Sequence, residues 1–451
     1  MNNANPKISV IDKELKKNNV KYIFFQFADI NATLRAKIST IHHFEELATD
    51  GAGFAGFSVP GLGQEPHNPD IKAIPDLNSL TVLPWKRDTV RFASNLFVEG
   101  KSWPFCSRTI LQNVVNKAKN KGFVYNTGVE PEFFLVKKND DGTIEPFDSL
   151  DTLTKPCYDM KGLTRNLPFL EQLINCVDEL GWDTEATDHE DANGQFELNM
   201  GYSDCITSSD RLVFHRYMVS TLANQIGAIA TFMPKPFINR TGSGAHFHMS
   251  LIDQKTGKNV FTDLNDSKKL GLSKTAYYFI GGLLKHARAY CAFTAPTVNS
   301  YKRLISGGSL SGATWAPVYV TYGGNNRTQM LRIPGPGRIE NRTIDSACNP
   351  YLATAAILAA GLDGIENKID PGDPNDNNMY KMTPAELKNQ NITRLPNTLE
   401  EALMELKHNN VLRETLGNKF IDYYIEFKLN EWHEYHNNVS QWEIDKYLHS
   451  P

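Results

Sequence analysis

Ionisable side chains recur two residues apart inside β-prone runs, and this spacing is the tightest constraint the chain carries. A strand sends residues i and i+2 to the same face. In GVEPEFFL, Glu130 and Glu132 therefore point together. In GSGAHFHMSL, His246 and His248 share one face while Ala245, Phe247 and Met249 take the other. In GRIENR, Arg338, Glu340 and Arg342 line a face opposite Ile339 and Asn341. The stretch DHEDANGQFELNM adds Glu190 and Glu197 across an Ala-Asn-Gly turn. Each stretch alone has a plain reading: alternation is what a solvated sheet face shows, His248 could be a satisfied core imidazole, and the arginines could be a salt-bridged surface. The four together predict one acid-rich surface built on strands.

Five carboxylates on one surface repel each other unless cations neutralise them. Oxygen ligands with an imidazole and no thiolate suit Mg2+ or Mn2+ better than zinc. Arginines interleaved with the acids suit phosphate oxygens. Metal and phosphate together point to a nucleotide, yet the chain has no G-x-x-x-x-G-K-[ST] loop, and no Rossmann fingerprint supports the nucleotide. Any ATP has to be held by metals and arginines.

Composition narrows the partners. A formal charge of -4 leaves no electrostatic footprint for nucleic acid or an anionic membrane. The six cysteines are scattered without a C-x-x-C pair, which fits a reducing compartment. MNNANPKISVIDKELKK lacks the apolar segment of a signal peptide, and no run reaches the ~18 apolar residues of a membrane span. A cytoplasmic location is expected.

A length of 451 residues predicts two or three domains. Residues 20–40 read as two strands around a polar turn, HHFEELATD as a short helix, and 80–98 as further strands. After the Pro/Gly punctuation at 99–109, SRTILQNVVNKAKNKG has helical apolar spacing and a terminal Gly. Helices are expected near 166–180, 208–227, 271–290, 350–366 and 398–445, with strands between them, giving an α+β fold. The polar stretch IDPGDPNDNNMY, 369–380, reads as a surface loop.

The stretches GVEPEFFL, HEDANGQFE, GSGAHFHMS, NSYKRL, NNRTQMLRIPGPGRIENR and NPYLATAAILAAGLDGI, in this order, resemble glutamine synthetase and its glutamate–amine ligase relatives. The resemblance implies a small N-terminal β-grasp domain, residues 15–106, and a catalytic ATP/glutamate domain, 107–451, whose curved antiparallel sheet is flanked by helices. It also implies a homo-dodecamer with active sites between neighbouring subunits, and two or three Mg2+ or Mn2+ ions per site. Carried over by position, Glu130, His246 and Glu340 resemble the ligands of the metal on the ATP phosphates. Glu132, Glu190 and Glu197 resemble those of the metal beside glutamate. His248 stands where the family contacts the nucleotide, and Arg327, Arg332 and Arg338 where it binds phosphoryl oxygens. Arg303 and Arg342 resemble clamps on glutamate, with the Gly242 carbonyl receiving its amino group. The implied reaction joins the γ-carboxylate of glutamate to an amine through γ-glutamyl phosphate, with Arg327, Arg342 and Trp315 expected at the reacting groups.

Three departures bear on the amine. After YKRL the chain reads ISGGSLSGATWAP, and Trp315 stands where ammonia-using relatives carry a glutamate that takes the ammonium proton. In GAGFAGFSVPG the stretch Ala55, Gly56, Phe57, Ser58 replaces the family's Asp-Gly-Ser-Ser, so Phe57 is expected at the amine pocket of a neighbouring subunit. Thr241 replaces the usual Asn before Gly-Ser-Gly. Two acids exchanged for apolar groups predict an alkylated amine, and the loop resembles the γ-glutamylmethylamide synthetase branch. Methylamine is the expected substrate and γ-glutamylmethylamide the product. Glutamine synthesis from ammonia, ligation of a polyamine, and a non-catalytic binding or assembly protein of the same fold stand as alternatives. Tyr380 resembles a tyrosine that is adenylylated in some bacterial relatives, but Lys381 stands where an acid is usual.

Overall fold

A computed structural model describes residues 6–449. The first five residues of the N-terminal stretch discussed above, and the last two of the chain, lie outside the described residues. Among the described residues the strands form two sheets, of seven and ten strands, and no helix is long and apolar enough to cross a membrane.

The smaller sheet runs, edge to edge, through Leu34–Thr40, Tyr22–Ala28, Lys86–Val98, Ile71–Pro75 and Ala52–Phe54. Tyr22–Ala28 lies parallel to Lys86–Val98, and the other pairs are antiparallel. Strand alternation buries Ile23, Phe25, Ile71, Val90 and Phe92 on one core with Phe44 of the helix Phe44–Asp50 and with Ile8, Ile11 and Leu15 of Pro6–Lys17. One sheet packed against helices is the grasp-like unit expected at the N-terminus.

The larger sheet has the order Thr184–His189, Gln195–Met200, Phe123–Lys138, Ala245–Asp253, Arg338–Asn341, Leu331–Gly335, Tyr322–Gly323. All its pairs are antiparallel except the last, which is parallel. Period-two alternation divides its faces. Tyr125, Val129, Phe247, Met249, Leu251 and Ile339 enter a core shared with Ser107–Asn120, Lys274–Thr294 and Pro350–Glu366. Phe133, Phe196 and Leu198 pack against Met160–Glu179 and Cys205–Gln225. The residues between them in sequence are turned to the other face, where the cleft lies.

The helices Lys274–Thr294 and Pro350–Glu366 are buried along most of their lengths and meet closely. A β-carbon on Gly282 would stand 2.1 Å from the Ala360 carbonyl oxygen, and one on Gly364 2.1 Å from the Tyr278 carbonyl oxygen. Only glycine allows this approach, and it draws together the scaffold behind the sheet.

Two expectations shift. The helix expected near 166–180 begins at Met160, where Asp159 caps it by accepting a hydrogen bond from the Gly162 N–H. The region 398–445 is four helices, Leu399–Lys407, Asn410–Leu416, Asn418–His436 and Gln441–Tyr447. Asn409 and Ser440 cap new starts, and Gly417 at φ 105° turns the chain between two of them. The six cysteines are all free.

Candidate active site

The register of the larger sheet sets the ionisable residues beside one another across six strands. Asp188 lies opposite Glu197, and Glu197 opposite Glu132. Glu130 lies opposite His246, His248 opposite Glu340, and Glu340 opposite Arg332. The cleft above them has a volume of about 540 Å3 and is lined by Glu130, Glu132, Glu190, Glu197 and His246, with Gly242, Arg303, Arg327, Arg332 and Arg342. A second cavity of about 390 Å3, lined by His248 and Arg338, shares Glu130 and Asn199 with it.

Three groups each bring one donor atom per residue within 4.8 Å of one another: Glu130, His246 and Glu340; Glu132, Glu197 and His246; Asp188, Glu190 and Glu197. The first is the set expected on the phosphate side. The second expected set is divided between the other two groups, with His246 shared and Asp188 added.

Electrostatics favour cations here. Burial pushes the Glu190 carboxyl up to about 8, reinforced by the charge of Glu132. Glu197 is raised well above the usual carboxylate range by burial, then by Glu190, Glu130 and Glu132. Burial works against Glu130 as well, but hydrogen bonds from His246 and His248 hold it below its ordinary value. Its oxygens lie 3.3 Å from His246 Nδ1 and 2.8 Å from His248 Nε2. Buried carboxylates that also crowd one another are what a divalent ion relieves. The donor set of carboxylates and imidazole, without thiolate, fits Mg2+ or Mn2+.

The arginines are not equivalent. Glu340, fully buried, sits between Arg332, whose Nη1 donates to it at 2.7 Å, and Arg342, which also donates to it. Burial opposes its charge, but Arg342, His246 and His248 hold it at about 2. Arg342 donates its other arm to the Trp315 carbonyl at 3.0 Å, so both arms of its guanidinium have partners within the chain. Arg303 is buried and donates to the carbonyls of Thr343 and Arg342 at 3.3 and 3.1 Å. Arg327 is exposed at the cleft wall, and Arg338 is exposed in the second cavity with His248. Phe57 is 60% exposed and lies outside the lining of its own chain's cleft.

Gly242 is needed for shape: a β-carbon there would stand 2.3 Å from the Pro234 carbonyl oxygen. Its carbonyl accepts from Gln195 Nε2 at 3.1 Å, and the same amide donates to Glu132 at 2.8 Å. Thr241 Oγ1 donates to the Gln195 oxygen, so Thr241 and Gln195 brace the loop at Gly242. Sequence reasoning missed Gln195 because nothing local marks a buried amide that links two loops.

It also missed the frame of the Glu190 turn. Asp151 accepts from the Gly194 N–H at 2.7 Å and from Asn193 Nδ2 at 2.8 Å, and lies 2.8 Å from His189 Nε2. The tip of this turn carries Asp191, 8% exposed, whose Oδ2 accepts hydrogen bonds from Trp315 Nε1 at 2.9 Å and from Ser311 Oγ. Trp315 is 42% exposed at φ 55°, with Tyr158, at φ 63°, on the same cleft lining.

The sheet thus carries carboxylates and imidazoles in facing register beneath a cleft walled by arginines, an arrangement suited to metal-assisted chemistry on phosphate. The chain belongs to the glutamine synthetase family: residues 104–447 match the model described as glutamine synthetase, catalytic domain. It is 46% identical over 435 residues to the glutamate–methylamine ligase of Methyloversatilis universalis, an alignment that spans 96% of this chain and 97% of that protein. It is 41% identical over 428 residues to the glutamine synthetase of Rhizobium meliloti, covering 95% and 96% of the two chains. Among solved structures it resembles a GmaS/ADP complex, with TM-score 0.91 and 42% identity over 97% of this chain and 99% of that one. It also resembles apo GmaS without ligand, with TM-score 0.89, 40% identity and the same coverage. The chain is thus an ATP-dependent ligase of this family, a class that uses divalent metal.

Proposed function

We propose that this enzyme joins the γ-carboxylate of glutamate to methylamine at the expense of ATP, forming γ-glutamylmethylamide. One observation carries the choice of amine: an indole, Trp315, is fixed at the rim of an acid-lined cleft. An indole face attracts an alkylammonium by about 0.5–2 kcal/mol, and burying a methyl group adds about 0.8 kcal/mol. The similarity to a protein named glutamate–methylamine ligase supports the same reading.

In this account Glu130, His246 and Glu340 would hold a divalent ion on the phosphate side, and Glu132, Glu190 and Glu197 would hold one or two more beside glutamate. When bound, those ions would supply charge neutralisation for the transferring phosphoryl group. Arg327 and Arg332 at the cleft, and Arg338 with His248 in the adjoining cavity, bind nucleotide and phosphoryl oxygens. Arg303 and Arg342 take the glutamate carboxylate, and the Gly242 carbonyl takes its amino group. A free carboxylate resists attack by an amine until it is activated, so the γ-carboxylate first displaces ADP from ATP to form the acyl phosphate, and the amine then displaces phosphate. The amine arrives as an ammonium ion. Asp188, raised by burial and by Glu130 and lining the cleft with Trp315, is our choice for the acid that takes its proton. Asp188→Asn should then slow amide formation and spare ADP formation with glutamate alone; equal loss of both would remove Asp188 from that role.

We take residues 15–106, together with the helix Pro6–Lys17 packed on their core, and 107–451 as the two domains, and a cytoplasmic homo-dodecamer as the working assembly, with Phe57 reaching a neighbour's amine pocket. The exposure of Phe57 supports this. Sedimentation of the purified protein tests the assembly. The amine is tested by kcat/KM for methylamine, ethylamine, putrescine and ammonium with ATP, Mg2+ and glutamate.

A further inference from the structure

The loop 306–316 is held from two sides by different groups. It is tied away from the indole: the Thr314 side chain donates from Oγ1 to the Ile305 carbonyl at 2.7 Å, Arg342 Nη2 donates to the Trp315 carbonyl at 3.0 Å, and Tyr380 Oη to the Ala316 carbonyl at 2.9 Å. None of these bonds touches the indole. Among the described residues the indole donates its one hydrogen bond to Asp191, from Nε1 to Oδ2 at 2.9 Å, and Ser311 Oγ donates to the same oxygen. Trp315 lies at φ 55°, a conformation that a bulky L-residue keeps only when its surroundings hold it there. Gly307, Gly308 and Gly312 of the same loop also have positive φ, with nothing within 4 Å of a built β-carbon, so the segment before the tryptophan has little packing to orient it.

Asp191 itself stands on a rigid base. The turn that carries it is pinned by Asp151 through Gly194 and Asn193, and the Asp191 N–H donates to Glu190 Oε2 at 3.2 Å. A carboxylate on a braced hairpin therefore sets the angle of an aromatic ring on a glycine-rich loop. We propose that Asp191 is a positioning residue for the amine subsite: it holds the Trp315 indole as the wall that an alkylamine packs against. This rests on the reading of Trp315 given above.

The test uses the full-length enzyme and four variants: Asp191→Ala, Asp191→Asn, Trp315→Phe and the double variant Asp191→Ala with Trp315→Phe. Phenylalanine keeps a ring and loses the N–H, and asparagine keeps an oxygen that accepts it. Loss of a hydrogen bond to a charged group corresponds to about tenfold in kcat/KM. Asp191→Ala and Trp315→Phe should each lower methylamine kcat/KM by about that factor, raising the amine KM while leaving the KM for ATP and glutamate within about twofold. The double variant should be no worse than Asp191→Ala alone, because the bond that Trp315→Phe removes is already lost in Asp191→Ala. Asp191→Asn should recover most of the loss. Multiplied losses in the double variant, an Asp191→Asn as impaired as Asp191→Ala, or an equal rise in the KM for ATP and glutamate would each overturn the positioning role. A wild type that prefers ammonium contradicts the methylamine assignment instead, and the coupling of Asp191 to Trp315 is then read on ammonium.

Discussion

Trp315 concentrates the specificity argument in one side chain. Alanine at this position keeps the backbone ties of the loop and removes the indole, so the effect should fall on the amine. Trp315→Ala is expected to lower the ratio of methylamine to ammonium kcat/KM by roughly ten- to a hundredfold, the combined worth of a cation–π contact and a buried methyl. Steady-state rates with both amines measure it, and an unchanged ratio would sink the role of the indole. Gly242 makes a separate prediction. A β-carbon 2.3 Å from the Pro234 carbonyl and 3.0 Å from Arg303 Cγ forces the loop and the arginine apart. Gly242→Ala should therefore raise the glutamate KM by about tenfold or more with little change for ATP, at a cost typical of overpacking. The residues legible from sequence were those whose apolar neighbours alternate with them, as Phe247 does with His246 and His248. Asp188 sits in the run DHED, where acids on both faces hide the period. Asp151 and Asp191 act from turns, on partners found only by folding: Gly194 is 43 residues from Asp151, and Trp315 is 124 from Asp191.

The scaffold elements carry two predictions. The helices Lys274–Thr294 and Pro350–Glu366 touch through Gly282 and Gly364, where a methyl group meets backbone rather than a movable side chain. Gly364→Ala should cost about 1–3 kcal/mol by urea unfolding, despite the better helix propensity of alanine. The helix Cys205–Gln225 buries His215 against Phe133, with neither ring nitrogen hydrogen-bonded. Burial, with Arg216 nearby, holds its pKa at about 3, below its ordinary 6.5. Between those values the unfolded chain binds a proton that the folded chain refuses, so stability falls as pH drops through this window, by up to ~1.4 kcal/mol per pH unit. His215→Phe removes this contribution. From pH 6.5 to 5 the wild type should lose about 2 kcal/mol more than the variant, and parallel losses in chemical denaturation would contradict the burial argument. At this scale the sequence marked most elements but not all their ends. Strand alternation was explicit, while the breaks at Asn409, Gly417 and Ser440 stand inside a helical pattern that continues on both sides of them. The pairing order of the larger sheet is a long-range property with no local signature.

For the molecule as a whole, the acid cluster couples metal, proton and stability. Glu190 titrates near 8 in the fold against its ordinary 4.5, chiefly through burial and then through Glu132. Without a divalent ion the folded chain keeps a proton between those values that the unfolded chain releases. Stability then falls as pH rises through that window. A bound cation takes the proton's place, so Tm in EDTA should be lower at pH 8 than at pH 6, and saturating Mg2+ or Mn2+ should raise it more at pH 8. A metal effect equal at both pH values would contradict the role of these carboxylates as ligands. The central claim is that Trp315 gives this enzyme an apolar wall for an alkylated amine. Phosphate release with ATP, Mg2+ and glutamate, at varied methylamine or ammonium, tests it most directly. The account predicts a kcat/KM for methylamine at least about tenfold above that for ammonium; equal or better use of ammonium would contradict it.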